Sequence, residues 1–301
     1  MHKFLILVGL TMALSSTASA VPFQRQDAGG SSGFDQILDN PQEPLYGVEL
    51  VNLFESTVEG FGDTTINEIG GNWEFAYYRI PNMGHLAAAL AAQFTIFQDS
   101  AGVALPDEVL KLALAGTLTW RADRGLAYEL GFQPGLYTDV EDFGFDALAF
   151  PFSVSVIRSF APDLSGVAGL EIRPEFITVV RPLLGITWAA SDYVWMQIMI
   201  PESRAVWGIN DRWRTHLSAE WNNVDYRVGD KDGLSREGIS LEDIRFAVGV
   251  TYQMSDLHHF TVELGRSTHR SVEFETGPPG RPADFDLDDT GFIRFVLGGP
   301  F

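Results

Sequence analysis

Residues 109–137 read VLKLALAGTLTWRADRGLAYELGFQPGLY. From Leu110 the even positions are Leu110, Leu112, Leu114, Gly116, Leu118 and Trp120, and the odd ones Val109, Lys111, Ala113, Ala115, Thr117 and Thr119. After Arg121–Gly125 the order resumes, with Leu126, Tyr128, Leu130, Phe132, Pro134 and Leu136 against Ala127, Glu129, Gly131, Gln133, Gly135 and Tyr137. Successive side chains of an extended chain leave on opposite faces. Alternation sustained this long therefore predicts a β-hairpin whose two faces meet different solvents.

The pattern recurs along the chain. Phe150, Phe152, Val154 and Val156 oppose Ser153 and Ser155; Ala168, Leu170, Ile172 and Phe176 oppose Gly169, Glu171, Arg173 and Glu175. Leu217, Ala219 and Trp221 oppose Arg214, His216, Ser218 and Glu220; Ile244, Phe246, Val248 and Val250 oppose Arg245 and Gly249. Phe260, Val262 and Leu264 oppose Glu263, and Ile293, Phe295 and Leu297 oppose Arg294. A soluble sandwich alternates too. Two features favour a barrel: runs of about ten residues or more, which cross a bilayer at a tilt, and connections that alternate between tight and long. Short ones fall at Pro81–Gly84, Arg121–Gly125, Ala161–Leu164, Ser191–Asp192 and Ser255–His258; long polar ones at Glu55–Gly71, Asp99–Asp107, Gly229–Ser240 and Gly277–Asp288. Trp73, Trp120, Trp188, Trp195, Trp213, Trp221 and Tyr252 stand near strand ends, where an interfacial girdle would place them.

The expected fold is all-β, an antiparallel up-and-down transmembrane barrel of about 12–14 strands. A scheme of 14 runs over 45–54, 72–80, 86–98, 108–121, 125–138, 146–159, 165–177, 182–190, 192–200, 203–209, 212–228, 241–254, 258–276 and 289–299. Residues 86–92, Leu-Ala-Ala-Ala-Leu-Ala-Ala, alternate poorly and have helix propensity, and 203–209 is short, which leaves 12 as the alternative.

His2 and Lys3, the apolar run Phe4–Leu14 and Ala18-Ser19-Ala20 together form a signal-peptide pattern. The expected organisation is a cleaved leader over 1–20, a flexible periplasmic segment over 21–44 and the barrel over 45–301, with localisation in the outer membrane. No cysteine stands at the cleavage site to carry a lipid anchor. With 20 Lys and Arg against 40 Asp and Glu, loss of Lys3 takes the charge from −20 to 19 − 40 = −21. Such acidity speaks against nucleic acid as a partner. With no Cys, thiolate chemistry is excluded, and no uninterrupted apolar run after the leader reaches the length of a membrane helix.

Ile293, Phe295 and Leu297 lead at alternate positions to Phe301. This resembles the C-terminal assembly signal of bacterial outer-membrane proteins, with Phe301 as the terminal aromatic and Gly299 where an aromatic is usual. More broadly, Leu183–Trp188, Gln197–Pro201, Trp213–Asn222, Asp243–Phe246 with Gly249, and Gly291–Phe295 resemble an uncharacterised family of outer-membrane barrels from planctomycetes and Bacteroidetes. The chain also resembles, more faintly, barrels of the aromatic-hydrocarbon-transporter type. These resemblances imply a barrel, its location, and as partners outer-membrane lipid, the barrel-assembly machinery and small solutes; they supply no catalytic residue and no cofactor.

On the inward face Lys111, Arg173, Arg214, Arg245 and Arg294 stand against Glu129, Glu171, Glu175, Glu220 and Glu263. Five against five gives no field of one sign, and cross-strand pairing is expected. The function expected is a passive channel or transporter-like pore for small solutes, lined by these residues together with His216 and Ser218. One alternative is a structural or surface-interaction barrel with a closed lumen. The other is a lipid-modifying hydrolase: His216-Leu217-Ser218 resembles the His-x-Ser of outer-membrane lipid hydrolases, but Ala219-Glu220 follows where that pattern has Asn and Gly, and the pair falls on the polar face. No catalytic residue, metal or cofactor is expected. Asp230-Lys231-Asp232-Gly233 lacks the spacing of a calcium loop, Asp284, Asp286, Asp288 and Asp289 read as a solvated loop, and His258-His259 lacks a third ligand.

Overall fold

The computed structural model describes residues 45–58, 62–80, 84–99, 105–123, 125–139, 145–174, 176–228, 237–255, 258–275 and 284–300. The leader, Glu175, the segment 230–233 and Phe301 lie outside them. Among these residues are β1 (Leu45–Val58), β2 (Gly62–Ile80), β3 (Gly84–Asp99) and β4 (Glu108–Asp123), then β5 in two pieces (Leu126–Phe132 and Gly135–Asp139) and β6 in two (Leu148–Ala149 and Phe152–Ala161). There follow β7 (Leu164–Ile172), β8 (Val180–Ser191), β9 (Val194–Ile200), β10 (Glu202–Gly208), β11 (Trp213–Val228), β12 (Glu237–Gln253), β13 (His259–Phe274) and β14, again in two pieces (Asp284–Leu287 and Thr290–Pro300). The pieces count as single strands because each pair ladders against the same neighbour.

Each strand pairs antiparallel with the next, and β1 returns to β14 over Leu45↔Pro300 to Leu53↔Phe292. The sheet is therefore a closed barrel with both ends of its chain at one rim, the terminal rim. The 14 strands settle the count against 12. Residues 86–92 lie within β3, laddered to β2 and β4, where cross-strand pairing overrides their helix propensity. The 203–209 run is β10, held on both sides.

Outward-facing side chains form an apolar band on the terminal half. Leu112, Leu130, Phe152, Leu170, Ile186, Ile198, Leu217, Val248, Leu264 and Phe295 are all exposed, one from each of ten strands. Apolar surface in water costs about 25 cal/mol per Å², and a band running round the whole circumference suits hydrocarbon, not solvent. Trp73, Trp120, Trp188, Trp213 and Tyr252 cluster toward the terminal rim. Trp195 departs from the expected girdle: it shares parity with Gln197, opposite to exposed Ile198 and Ile200, and faces the lumen.

Beyond the band the polarity turns inside out. Val58, Ile66, Phe97, Val109, Tyr226, Ile239, Val272, Phe274 and Leu287 face inward and form one buried cluster. Thr57, Gln98, Glu108, Glu273 and Asp284 face out and are exposed. The far half is a collar with a core like that of a small soluble barrel. Among the described residues β7 to β10 give nothing to this core and β6 only Ala149; beyond them β11 meets β5 directly through a parallel bridge, Arg227↔Thr138.

This inversion corrects the expected connections. The loop expected over Glu55–Gly71 is β1 and β2 continuing, with Thr64, Ile66 and Glu68 inward. The long connections expected at 229–240 and 277–288 are likewise shortened by Glu237–Ser240 and Asp284–Leu287. The strand expected to 177 stops at Ile172, since Pro174 has no N–H for the ladder.

An arginine placed in the band, as in Val248→Arg, is expected to destabilise the lipid-folded protein by about 2–4 kcal/mol. The same change at exposed Glu273 should have little effect; urea unfolding in vesicles reads both.

Candidate functional site

The lumen of the terminal half is lined by short side chains: Thr117 and Thr119 on β4, Ser153 and Ser155 on β6, Gly169 on β7, Gly185 and Thr187 on β8. Fourteen strands enclose more space than side chains fill, whereas about eight strands are just filled. This half is a vestibule facing the terminal rim.

Above it an ionic network crosses the lumen. His216, Gly249, Glu263 and Arg294 lie in one row across β11, β12, β13 and β14. Glu263 is fully buried. Its Oε1 accepts from His216 Nε2 at 2.7 Å and Arg204 Nη2 at 3.0 Å, and its Oε2 from Arg294 Nη1 at 3.2 Å. Arg294 Nη2 donates to Glu220 at 2.8 Å, and its Nε lies 3.8 Å from Glu49. One step toward the collar, Arg245 grips Glu68 with both Nη atoms, at 2.8 and 2.6 Å, and donates from Nε to Asp243 at 2.7 Å. Ser267 adds a bond to Asp243 at 2.6 Å. The bidentate fork is the strongest geometry an arginine offers a carboxylate. Gly249 is required here, since a Cβ would collide with the His216 ring and lie 2.8 Å from Glu263 Cγ.

Within the network and the collar lies a cavity of about 70 Å³ lined by Glu49, Glu68, Glu220, Asp243, Arg245 and Arg294 among others. That admits a few water molecules, not an organic solute.

On the opposite wall the segment after β7 folds inward. Phe176 joins the collar core and meets Tyr137 edge-on, ring centroids 5.0 Å apart. Arg173 lies over the Phe176 ring at 4.3 Å and donates to Asn223 at 2.7 Å; the Ile177 N–H donates to Asp225 at 2.6 Å. These contacts tie the segment to β11 at the place where β11 meets β5. Below it Lys111 stands over the Tyr137 ring at 5.7 Å and Arg181 pairs with Glu171 at 2.6 Å.

Of the residues singled out from sequence, His216, Glu220, Arg245, Glu263 and Arg294 come together in or beside the network. Lys111, Glu171 and Arg173 lie by the inward segment. Glu129 accepts from Thr119 at 3.2 Å in the vestibule. Arg214 and Ser218 lie on the inward face of β11 beside these groups. His216 engages Glu263 inside the barrel, so the arrangement a lipid hydrolase needs, a histidine and serine facing lipid, is not formed by His216 and Ser218. Among the described residues no group of three His, Asp or Glu is placed to hold a metal.

Sequence reasoning missed Glu49, Glu68, Asp243, Arg204 and Phe176. Glu68 and Phe176 were hidden by the inversion of polarity and by Pro174. Glu49 carried a usable signal, as the sole acid among Val48, Leu50 and Val51.

No family model and no curated protein matches the chain. Among solved structures, an outer membrane channel from Pseudomonas putida F1 aligns with a TM-score of 0.45 at 11% identity, over 87% of this chain and 97% of the other. A Pseudomonas aeruginosa FadL homologue gives 0.44 and 9%, over 86% and 91%. The KdgM porin gives 0.36 and 9%, over 85% and 99%.

Arg245→Met strands two buried carboxylates and is expected to cost about 3–5 kcal/mol. The triple variant Glu68→Leu, Asp243→Leu, Arg245→Met should recover most of that loss, again by unfolding in vesicles.

Proposed function

We propose that this protein is an exported outer-membrane barrel of the channel type, for small solutes, whose axial passage is closed in the conformation described. The location is supported by the encircling apolar band and by the leader pattern over 1–20. One observation carries the functional reading: a vestibule lined on β4, β6, β7 and β8 by short side chains ends against an ionic network backed by an apolar core. A freely diffusing solute meets no comparable barrier in a plain porin lumen. Opening is expected to begin with Phe176 leaving the core, because it lies between β7 and β8 and is held by no strand ladder.

The structural reading, a barrel closed for good, is favoured by the same seal. Planar-bilayer recording separates the two. The folded wild type is expected to show rare, brief openings, and Tyr137→Ala/Phe176→Ala to show steady steps. Steady large steps in the wild type contradict the seal; silence in both proteins supports the structural barrel.

A further inference from the structure

The lumenal charges number five of each sign by sequence, but the structure does not distribute them evenly. The paired carboxylates of the network are committed, while Glu202, two residues from Arg204 on β10 and opposite Glu220, adds a further acid to it. Glu263 is held by His216, Arg204 and Arg294, Glu220 by Arg294, and Glu68 and Asp243 by Arg245. On the vestibule side of that network, along β10 to β13, the positive groups are left in excess. Arg214 faces the lumen half-buried, with no ion pair to a described carboxylate. Its row continues through Thr251 and Thr261, whose hydroxyls touch at 2.8 Å. His259 lies one pleat nearer the terminal rim, against Gly298 and on the same inward face as Thr261. Arg204 gives one Nη to Glu263, but its buried Nε has no partner. The next carboxylate along the Arg214 row is Glu49, four strands away, about 19 Å at the usual strand spacing, and beside Arg294.

We propose that this wall, Arg214 with His259, Arg204 and the hydroxyls of Thr251 and Thr261, is a binding site for small anions, inorganic or carboxylate, entering from the terminal rim. An uncompensated guanidinium at the edge of a low-dielectric wall attracts anions more strongly than the same group in water. Of the two threonine hydroxyls beside it, which share one hydrogen bond, the other O–H is left to donate to a carboxylate or inorganic anion. As a statement about which solutes a channel would admit, the inference rests on the channel reading; as a statement about binding, it does not.

Trp195 offers a reporter, since it faces the same vestibule in a row with Val206 and His216. The test uses the folded full chain in detergent micelles, with Trp195→Phe subtracted to isolate the Trp195 emission. Iodide is expected to quench that emission several-fold more efficiently than caesium, with neutral acrylamide showing that the vestibule is reached. Arg214→Glu should bring the ratio to unity or reverse it, and Arg214→Lys should retain it. Equal quenching by the two ions, a preference unchanged in Arg214→Glu, or failure of acrylamide to reach Trp195 would each overturn the site. Silence in planar bilayers leaves this readout untouched, so failure of the site and failure of the channel reading are told apart.

Discussion

Closure of the sheet through the ladder between β1 and β14 is the constraint on which the rest of the molecule depends. Nine successive residue pairs, Leu45↔Pro300 to Leu53↔Phe292, turn two edges into an interior seam. In hydrocarbon an unpaired backbone N–H or C=O costs several kcal/mol, so a sheet with this apolar exterior is stable there only when closed. Once it is closed, every strand has an inside and an outside, and each residue must suit one. Leu50 and Phe295 are exposed on the seam's outer face, while Arg294 and Val51 are buried on its inner face.

The same seam sets the size of the interior. Side chains alone do not fill so wide a barrel, and the chain fills it differently along its length. Near the terminal rim it leaves the lumen to short polar groups. At mid-height it spans the lumen with arginines and glutamates, whose length lets β10 and β11 reach β13 and β14. In the collar it leaves out β7 to β10, brings β11 against β5, and packs an apolar core. Buried ion pairs add little net stability, because desolvation offsets much of their attraction. Their effect here is on geometry: Glu263 and Arg294 hold strands in one arrangement, and Gly249 exists as glycine to let His216 join them.

Most of the barrel was legible in the sequence because the band obeys one rule, apolar outside and polar inside, with a period of two. Leu112/Leu114 against Lys111, Leu217 against His216 and Ser218, and Leu264 against Glu263 all announce their faces. The collar was not legible, for a physical reason. There water lies outside and apolar packing inside, so Thr64, Ile66 and Glu68 present no lipid-facing partner residues to reveal the strand. Val272 and Phe274 look lipid-facing to a reader expecting the band's rule, yet they are core. The site was half legible for the same cause: Glu263, Arg294, Arg245 and His216 stand on band strands and could be placed, whereas Glu68, Asp243 and Phe176 stand where the rule changes. The balance of charges by count was also misleading, since pairing is decided by row and reach. Glu263 takes three partners and Arg214 none among the described carboxylates.

Hydrogen exchange of the folded protein in lipid nanodiscs, read by mass spectrometry peptide by peptide, tests the closed barrel most directly. The account predicts that amides of Val48–Leu53 and Phe292–Leu297 are protected as strongly as those of Leu217–Trp221 and Ile244–Val248, because the seam is an interior ladder like any other. Fast exchange along the seam, with protection kept elsewhere, would make β1 and β14 free edges and contradict the closure from which the vestibule, the network and the collar all follow.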